Sequence, residues 1–245
     1  MPQIYRCTLE LHDNLYYATR EIGRLYETEP VLHNYALCYA LGLVDSAQYA
    51  TTVPEESTYR YFCPEQVPMY EAHLTPLNQQ GIYVTPARAI RHGTLLNTWK
   101  YADNRYHVEM KKTQKNIPSF GRAKEIAPES QFEFFILSEQ SLARTDGSPH
   151  TKWPWKLPKY IRLGKWMSKA EVKVDDLGQL KPKEGEITCP YPLNPLDVMF
   201  THQVISYDVI NMPPVSLIRN VKLNGAYYQA GDVKLPARVE YCFSS

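Results

Sequence analysis

The sequence has few of the residues that hold metals or build disulfide frameworks. Its five cysteines are odd in number and never arranged as CxxC, and its seven histidines include no HxxxH or HxH pair. Zinc sites and disulfide frameworks depend on such spacing and pairing. We therefore expect no metal site and no cofactor, and the scattered thiols favour a reducing cytoplasm.

Several catalytic and targeting motifs are also missing. The chain has no G-x-x-x-x-G-K-[ST], no G-x-G-x-x-G and no G-x-S-x-G, which argues against nucleotide-driven work and against an α/β-hydrolase. No run approaches the ~18 apolar residues of a membrane span, and the N-terminus has no basic region followed by an apolar one. We expect no membrane association and no signal peptide.

Positive charge is concentrated locally, because the formal net charge of the whole chain is only +1. The stretches Arg88 to Lys124 and Lys152 to Lys173 hold many lysines and arginines, with tryptophan and tyrosine among them. This pattern suits single-stranded nucleic acid, whose phosphates attract cations and whose bases stack on flat rings. It equally fits two solvated surface loops, and composition alone does not separate the two interpretations.

Alternating and β-prone segments predict an antiparallel sheet with few helices, and therefore an α+β fold. Asn224-Gly225 lies inside the segment 221–229, between two strand-like runs, and predicts a hairpin with a type I′ turn. Further strands are expected at residues 4–12, 131–137, 160–163, 170–174, 201–209 and 233–243.

A helix is predicted to start at Thr28-Glu29-Pro30, with apolar residues recurring at helical spacing as far as Leu43. The apolar, tyrosine-rich residues 31–43 either pack in the core or dock a neighbouring subunit. Residues 47–80 are predicted to form loops and short strands, and the proline-rich residues 180–195 to form a loop.

The span 104–128 lies between two predicted strands, is long for a hairpin loop and is charged, which predicts a projecting basic hairpin or loop. Its Tyr106, His107, Lys111 and Lys112 include the acid and base groups that metal-free RNA cleavage requires. They also fit a strand that only contacts phosphates. Both interpretations remain open at this point.

The segment Gly164 to Lys169 joins two predicted strands. Its glycine allows the backbone to approach a phosphate, Lys165, Ser168 and Lys169 offer contacts, and Trp166 offers a ring for a base. An ordinary surface turn with its tryptophan packed on the sheet is the alternative.

Three segments carry a resemblance to a known family: IYRCTLELHDNLYYATREIGRLYETEPVLHNYALCYALG, SFGRAKEIAPESQFEFF and YIRLGKWMSKAEV. They resemble the Cas-five-type subunit of the type I-D CRISPR surveillance complex, the Csc-one family, from Ile4 to about Val174 and less distinctly beyond. The resemblance implies a single RAMP-type domain over residues 1–245, with a ferredoxin-like or RRM-like antiparallel sheet, helices on one face and a β-hairpin thumb. The thumb would span about 99–128, and a β-rich C-terminal portion would span about 196–245.

The same resemblance implies a role without catalysis. Such subunits hold the 5′ handle of the CRISPR RNA, cap the backbone filament and lie beside the large subunit, near where target DNA enters. The loop at Gly164 to Lys169 has fewer glycines than the usual RAMP loop. The predicted RNA-binding residues are Arg105, Tyr106, His107, Lys111, Lys112, Lys115, Arg122, Lys124, Lys165, Trp166, Ser168 and Lys169.

Two alternatives to this function remain. One is a metal-independent endoribonuclease that processes precursor CRISPR RNA, with His107 as its acid or base. The other is a tyrosine-rich interaction module whose basic loops bind an acidic protein.

Overall fold

The computed structural model describes residues 1–44, 68–101, 119–139 and 157–243. Within these ranges the strands are β1 (Gln3–Leu11), β2 (Arg20–Ile22), β3 (Leu25–Glu27), β4 (Val31–Leu32), β5 (Ile82–Val84), β6 (Ala87–Arg91), β7 (Thr94–Tyr101), β8 (Ser119–Ile126), β9 (Gln131–Ser138), β10 (Tyr160–Leu163), β11 (Ser168–Gln179), β12 (Lys183–Cys189), β13 (Gln203–Ile210), β14 (Leu217–Ala230) and β15 (Val233–Pro236). The helices are α1 (Asn34–Ala40), α2 (Tyr70–Gln79) and α3 (Pro195–Val198).

The largest sheet has seven strands in the order β10-β11-β1-β9-β6-β4, with β5 pairing beside β6 along β9. Its strand pairs are antiparallel. Strand β1 alternates as its sequence predicts, since Cys7, Leu9 and Leu11 are buried while Arg6 and Thr8 lie on the other, partly exposed face. The predicted α+β class, with mostly antiparallel strands and few helices, is confirmed, and the ferredoxin-like or RRM-like topology stays a prediction.

The described residues form two further, smaller sheets. The first has the order β12-β14-β13, with β15 pairing the far end of β14. The second has the order β2-β3-β8-β7, in which β3 and β8 run parallel and β7 and β8 run antiparallel. One hydrophobic cluster joins the seven-stranded sheet to β12, β14 and β15, from Leu9 and Phe134 to Leu223 and Leu235.

The helix predicted from Thr28 to Leu43 is shorter than expected. Val31 and Leu32 instead form β4, which pairs with β6. The helix begins only after His33, whose Nδ1 accepts a hydrogen bond from the Tyr35 backbone N–H at 3.2 Å. Tyr35 and its neighbours toward the N-terminus are buried, so the apolar residues at this end of the segment belong to the core.

Three other predictions of secondary structure were wrong. The loop-rich segment 47–80 includes the helix α2, which continues through Pro76 and buries Leu74 and Leu77. The predicted loop 180–195 contains β12, which Pro182 and Pro190 bound on either side. Asn224-Gly225 is not a turn, because both residues lie inside β14 and pair with β12.

Candidate nucleic-acid interface

The turn between β10 and β11 is fixed against the N-terminal segment. The Lys165 backbone N–H donates to the Tyr16 carbonyl at 2.8 Å. Gly164 has φ +78°, and a Cβ at this position would lie 2.8 Å from that same carbonyl oxygen. A larger residue would be strained both by this backbone conformation and by the contact, so glycine is required here for the turn to pack so closely.

Ser168 anchors the far side of the turn. It is only 3% exposed, and its hydroxyl donates to the Asn14 carbonyl. The next backbone N–H, that of Lys169, donates to the Asp13 carboxylate at 3.0 Å. The Ser168 hydroxyl is therefore engaged inside the protein, and this geometry assigns it to positioning the turn rather than to contacting a phosphate.

The turn presents a cation and a half-exposed indole side by side. Lys165 is exposed, and Trp166 is 52% exposed. The Trp166 ring stacks on the Tyr16 ring with centroids 4.3 Å apart and planes inclined by 28°. One face of the indole therefore packs on Tyr16 of the N-terminal segment, while half of its surface remains accessible to a base.

Beside the turn, the same edge of the large sheet exposes a second aromatic and more cations. Tyr160 and Glu171 are opposite each other in the β10–β11 pairing, as are Arg162 and Lys169, so these side chains share the sheet face away from Ile161. The Lys169 Nζ lies 4.3 Å from the centroid of the 44%-exposed Tyr160 ring. We call Tyr160, Arg162, Lys165, Trp166 and Lys169 the β10–β11 surface.

Few acidic groups oppose this charge. Glu171 contacts the Lys159 ammonium at 3.4 Å and the His12 imidazole at 3.9 Å. Hydrogen bonds with Tyr160 and, to a smaller extent, with Glu171 raise the pKa of Lys159. Among the described carboxylates none forms an ion pair with Lys165 or Lys169.

Sequence reasoning did not select Tyr160 or Arg162 as site residues, although both lie in the second basic stretch. Their signal was the alternation of β10, in which Ile161 and Leu163 are buried and Tyr160 and Arg162 are exposed. His12, whose ring centroid lies 5.9 Å from that of Tyr160, was also missed. His12 continues the alternation of buried and exposed residues just beyond the end of β1, and this places it on the same face as Tyr160.

The described part of the first basic stretch is different. The Lys124 ammonium lies 3.4 Å from the Glu27 carboxylate, which also bonds to Arg20. The Arg20 bond, with a smaller effect from Lys124, holds the pKa of Glu27 below its usual value. Arg122, two residues earlier on β8, is exposed.

Strands β7 and β8 pair in register from Thr94 opposite Ile126 to Tyr101 opposite Ser119. Strand β7 is exposed from Thr94 to Trp99. The Trp99 indole crosses the other strand so closely that a Cβ on Gly121 would lie 2.1 Å from it. The predicted contacts Arg105, Tyr106, His107, Lys111, Lys112 and Lys115 lie outside the described residues.

The N-terminal segment brings the two basic regions together. Leu15 exchanges both backbone hydrogen bonds with Ile126 at the end of β8, at 2.9 and 3.0 Å. Tyr16, the next residue, accepts the Lys165 N–H and stacks on Trp166. The end of β8 and the β10–β11 turn therefore flank the same two residues.

Within the described ranges, no three His, Cys, Asp or Glu side chains are grouped as metal ligands would be. None of the described helices has the length and apolar character that crossing a membrane requires. Three described histidines are buried. Burial lowers the pKa of His33 to about 4. The His73 Nδ1 bonds to the Tyr39 hydroxyl, and the His202 Nε2 lies 2.7 Å from the Ala226 carbonyl oxygen.

Solved structures similar to this chain have low sequence identity to it. A crystal structure of a CRISPR protein from Archaeoglobus fulgidus is 13% identical, with 98% of this chain and 100% of that chain covered and a TM-score of 0.45. A chain of the type III-B Cmr-beta bound to cognate target RNA and AMPPnP is 9% identical, with 89% and 86% covered and a TM-score of 0.40.

A chain of type III-B Cmr-beta bound to cognate target RNA is 12% identical, with 57% of this chain covered and a TM-score of 0.35. The similarity covers 48% of that chain, so this protein spans about half its length. Comparison with curated proteins finds no match. Residues 2–244 match the family described as type I-D CRISPR-associated protein Cas5/Csc1, and by this match over nearly its whole length the chain belongs to that family.

Proposed function

We propose that this chain is a non-catalytic RNA-binding subunit of a type I-D CRISPR effector complex and that it holds the 5′ handle of the CRISPR RNA. Membership of the Cas5/Csc1 family supports a place in such a complex. The β10–β11 surface supports the RNA contact most directly, because a half-exposed Trp166 and an exposed Lys165 lie side by side on a rigid turn. Bases stack on such rings while cations contact their phosphates.

Rigidity matters for this role. The turn is held by the Lys165 and Lys169 backbone N–H groups and by the Ser168 hydroxyl, all bonded to residues 13–16. A fixed surface loses little conformational entropy when RNA binds, and affinity improves accordingly. Lys165, Trp166 and Lys169 are the contacts we assign to this surface, with Tyr160 and Arg162 added to them.

The remaining contacts would come from a thumb. We assign it to about residues 99–128, continuing from the β7–β8 pair, so that Arg105, Tyr106, His107, Lys111, Lys112, Lys115, Arg122 and Lys124 reach the handle from the other side. The shared contact of β8 and the turn with Leu15 and Tyr16 supports a single continuous RNA path. We further propose one RAMP-type domain over residues 1–245, with a ferredoxin-like or RRM-like core and a β-rich portion from about residue 196. The hydrophobic cluster that joins the large sheet to β14 supports this assignment.

In the complex, this subunit would cap the backbone filament, contact the large subunit and lie near the entry point of target DNA. The family supports these partners only as a class, and the protein would act in the cytoplasm as part of antiviral defence. No catalytic residue is assigned, and His107 is the residue to test for endoribonuclease activity.

The deciding experiment is to purify the native complex through this chain in gentle salt and to sequence the 5′ ends of the RNA that accompanies it. A short common 5′ tag followed by variable sequence is expected. In parallel, Lys165→Glu/Lys169→Glu should retain less RNA, while Lys234→Glu on β15 serves as the matched control. RNA with random ends, or none, contradicts the proposal.

The same preparation tests the endoribonuclease alternative. Precursor RNA is incubated in the presence of a chelator with the wild-type chain and with His107→Ala. We expect no cleavage by either. Cleavage that survives the chelator and disappears in His107→Ala would replace the structural role with a catalytic one.

A further inference from the structure

A cavity of about 220 Å³ lies behind the β10–β11 turn. The N-terminal segment contributes Tyr17 to its wall, helix α1 contributes Tyr35 and Ala36, and the start of α2 contributes Tyr70. Lys165 lines the same cavity from the turn. The cavity is therefore continuous with the surface to which RNA binding is assigned.

Flat aromatic rings form much of the wall. The Tyr35 and Tyr70 ring centroids are 5.0 Å apart with planes inclined by 36°, and the His33 ring lies 4.5 Å from that of Tyr35. Burial raises the pKa of Tyr17 to about 12, so its hydroxyl is neutral under physiological conditions. Met212, Pro213 and Pro214 close the cavity with apolar surface.

The polar groups of the wall are mostly engaged already. The Asn194 side-chain amide donates to the Tyr35 hydroxyl at 3.1 Å, and the Thr19 hydroxyl donates to the Glu27 carbonyl at 3.0 Å. His33 uses one ring nitrogen on the Tyr35 N–H and the other on the Val215 carbonyl. A ligand in this cavity would thus be held mainly by its shape and its flat faces.

Among the described residues that line the cavity, Lys165 alone carries a formal charge when the histidine is neutral. A single cation at the side of an uncharged aromatic cavity matches a ligand with a flat neutral part and an adjacent anion. An unstacked nucleotide within a single strand has this chemistry. A neighbouring base would then meet Trp166, one residue further along the turn.

We propose that this cavity takes one unstacked nucleobase of the bound RNA, with the adjoining phosphate on Lys165. The inference rests on the proposed function and deepens it, because it assigns a base-binding site to the surface that holds the RNA. Since the wall offers few unengaged polar groups, the site accepts different bases. The RNA affinity then depends mainly on whether a base is present at this position.

The test is a scan of the RNA that co-purifies with the complex, resynthesised with one abasic position at a time. Affinities are measured for the purified chain at fixed salt. At one position, loss of the base should weaken binding roughly 5- to 150-fold, as expected for a stacked base. Replacing that base with another should change the affinity far less.

Ala36→Leu fills the cavity from a helical position without altering charge. This variant should weaken the binding of intact RNA by the same factor. The abasic substitution at that position should then cause no further loss of affinity. Ala40→Leu, one turn further along α1, is the matched control and should behave as wild type. Thermal melting of both variants confirms that each is folded.

The outcomes separate the two proposals. Wild-type binding that is insensitive to every abasic position overturns the base site and leaves the RNA-binding role intact. The base site is likewise overturned if Ala36→Leu binds as tightly as wild type and keeps the abasic effect. Absence of RNA binding by the wild-type chain overturns the RNA-binding role and the base site together.

Discussion

The two basic stretches of this chain are similar in sequence and different in structure. In the first, Arg88 donates to Glu133 at 2.9 Å and Lys124 lies 3.4 Å from Glu27. In the second, only Lys159 forms an ion pair with a described carboxylate; Lys169 lies 4.3 Å from the Tyr160 ring centroid, and Lys165 is exposed.

This difference shows that the density of lysine and arginine does not measure how much positive charge is available to a ligand. A cation held by a carboxylate gives up part of its affinity for phosphate, since binding must first displace the carboxylate. On the exposed face of β10 and β11, Glu171 bonds to Lys159, and Glu10 of β1, which lies opposite Glu171, accepts a hydrogen bond from Gln131. Neither carboxylate pairs with Lys165 or Lys169. Four predictions examine this comparison.

The largest effect should come from the residue that positions the second stretch. Gly164→Ala adds a Cβ that meets the Tyr16 carbonyl at 2.8 Å, whereas a Cβ on Gly178, at a similar φ of +83°, meets nothing within 4 Å. Both changes should lower stability by about 1–2 kcal/mol through the backbone conformation. Gly164→Ala should lose about 1–3 kcal/mol more through the clash and also lose RNA affinity. Denaturant unfolding compares them, and equal losses would show that the turn does not need its contact with Tyr16.

The two described tryptophans should separate binding from stability. Trp166→Ala should weaken RNA binding by about 1–3 kcal/mol, as expected for a lost stacking surface. Trp99→Ala removes a ring that lies across Gly121 and should lower the free energy of unfolding more than Trp166→Ala does. Fluorescence anisotropy with labelled RNA and thermal melting measure the two quantities. Equal RNA affinities of Trp166→Ala and wild type would remove Trp166 from the interface.

Neutralising a lysine should reduce the salt dependence of RNA binding more where the lysine lacks a carboxylate partner. Lys165→Gln/Lys169→Gln should reduce the slope of log affinity against log salt by about 1.4, because two phosphate contacts to a single strand are lost. Lys124→Gln is the comparison from the first stretch and should reduce the slope much less, since its ammonium lies beside Glu27. A titration of RNA binding over a range of salt gives both slopes. A larger change from Lys124→Gln would reverse the comparison.

The smallest effect concerns the pH dependence of stability. Arg20, and to a smaller extent Lys124, lower the pKa of Glu27 from 4.5. The stabilisation from the ionised carboxylate is therefore present above pH 4.5 and is lost as the pH falls through the lower, folded-state pKa. The difference in unfolding free energy between wild type and Glu27→Gln should be largest near neutral pH and shrink under acid. Lys165→Gln should show no such trend, and a constant difference for Glu27→Gln down to about pH 3 would contradict the assignment.

Four strands of the large sheet, β1, β9, β10 and β11, could be predicted because their burial pattern is local, whereas the two residues of β4 were predicted as helix. Alternation in β1 and the aromatic run of β9 depend on which face each side chain occupies, and that information lies in consecutive residues. The turn at Gly164 was located for the same reason. What it contacts could not be predicted, since Tyr16 and Leu15 are distant in sequence.

The failed hairpin shows why a strong local signal can be overridden. Gly225 has no side chain because the His202 ring occupies that space, with a Cβ at this position 2.7 Å from the ring. Asn224 has partners on both sides, Glu186 on β12 and Gln203 on β13. The glycine of this dipeptide is therefore explained by a close contact with His202 in the middle of a strand, and not by a turn.

Charge availability was the part of the site least accessible to sequence reasoning. Glu27 and Lys124, or Arg88 and Glu133, are far apart in the chain and meet only through strand pairing. The burial of Ser168 was equally hidden, because its partner is the Asn14 carbonyl. Neither property follows from the residues that surround these side chains in sequence.

Strand β1 lies in the middle of the large sheet, between β11 and β9. On the ribosome this first strand has no partner until residues 131–138 have been synthesised, and its second partner ends at residue 179. At about 5–20 residues per second, the wait is on the order of ten seconds, with Cys7, Leu9 and Leu11 left without their core. Nascent chains of this protein should therefore stay protease-sensitive and attract chaperones until most of the chain has emerged, and folding should be slow because its nucleating contacts are distant in sequence.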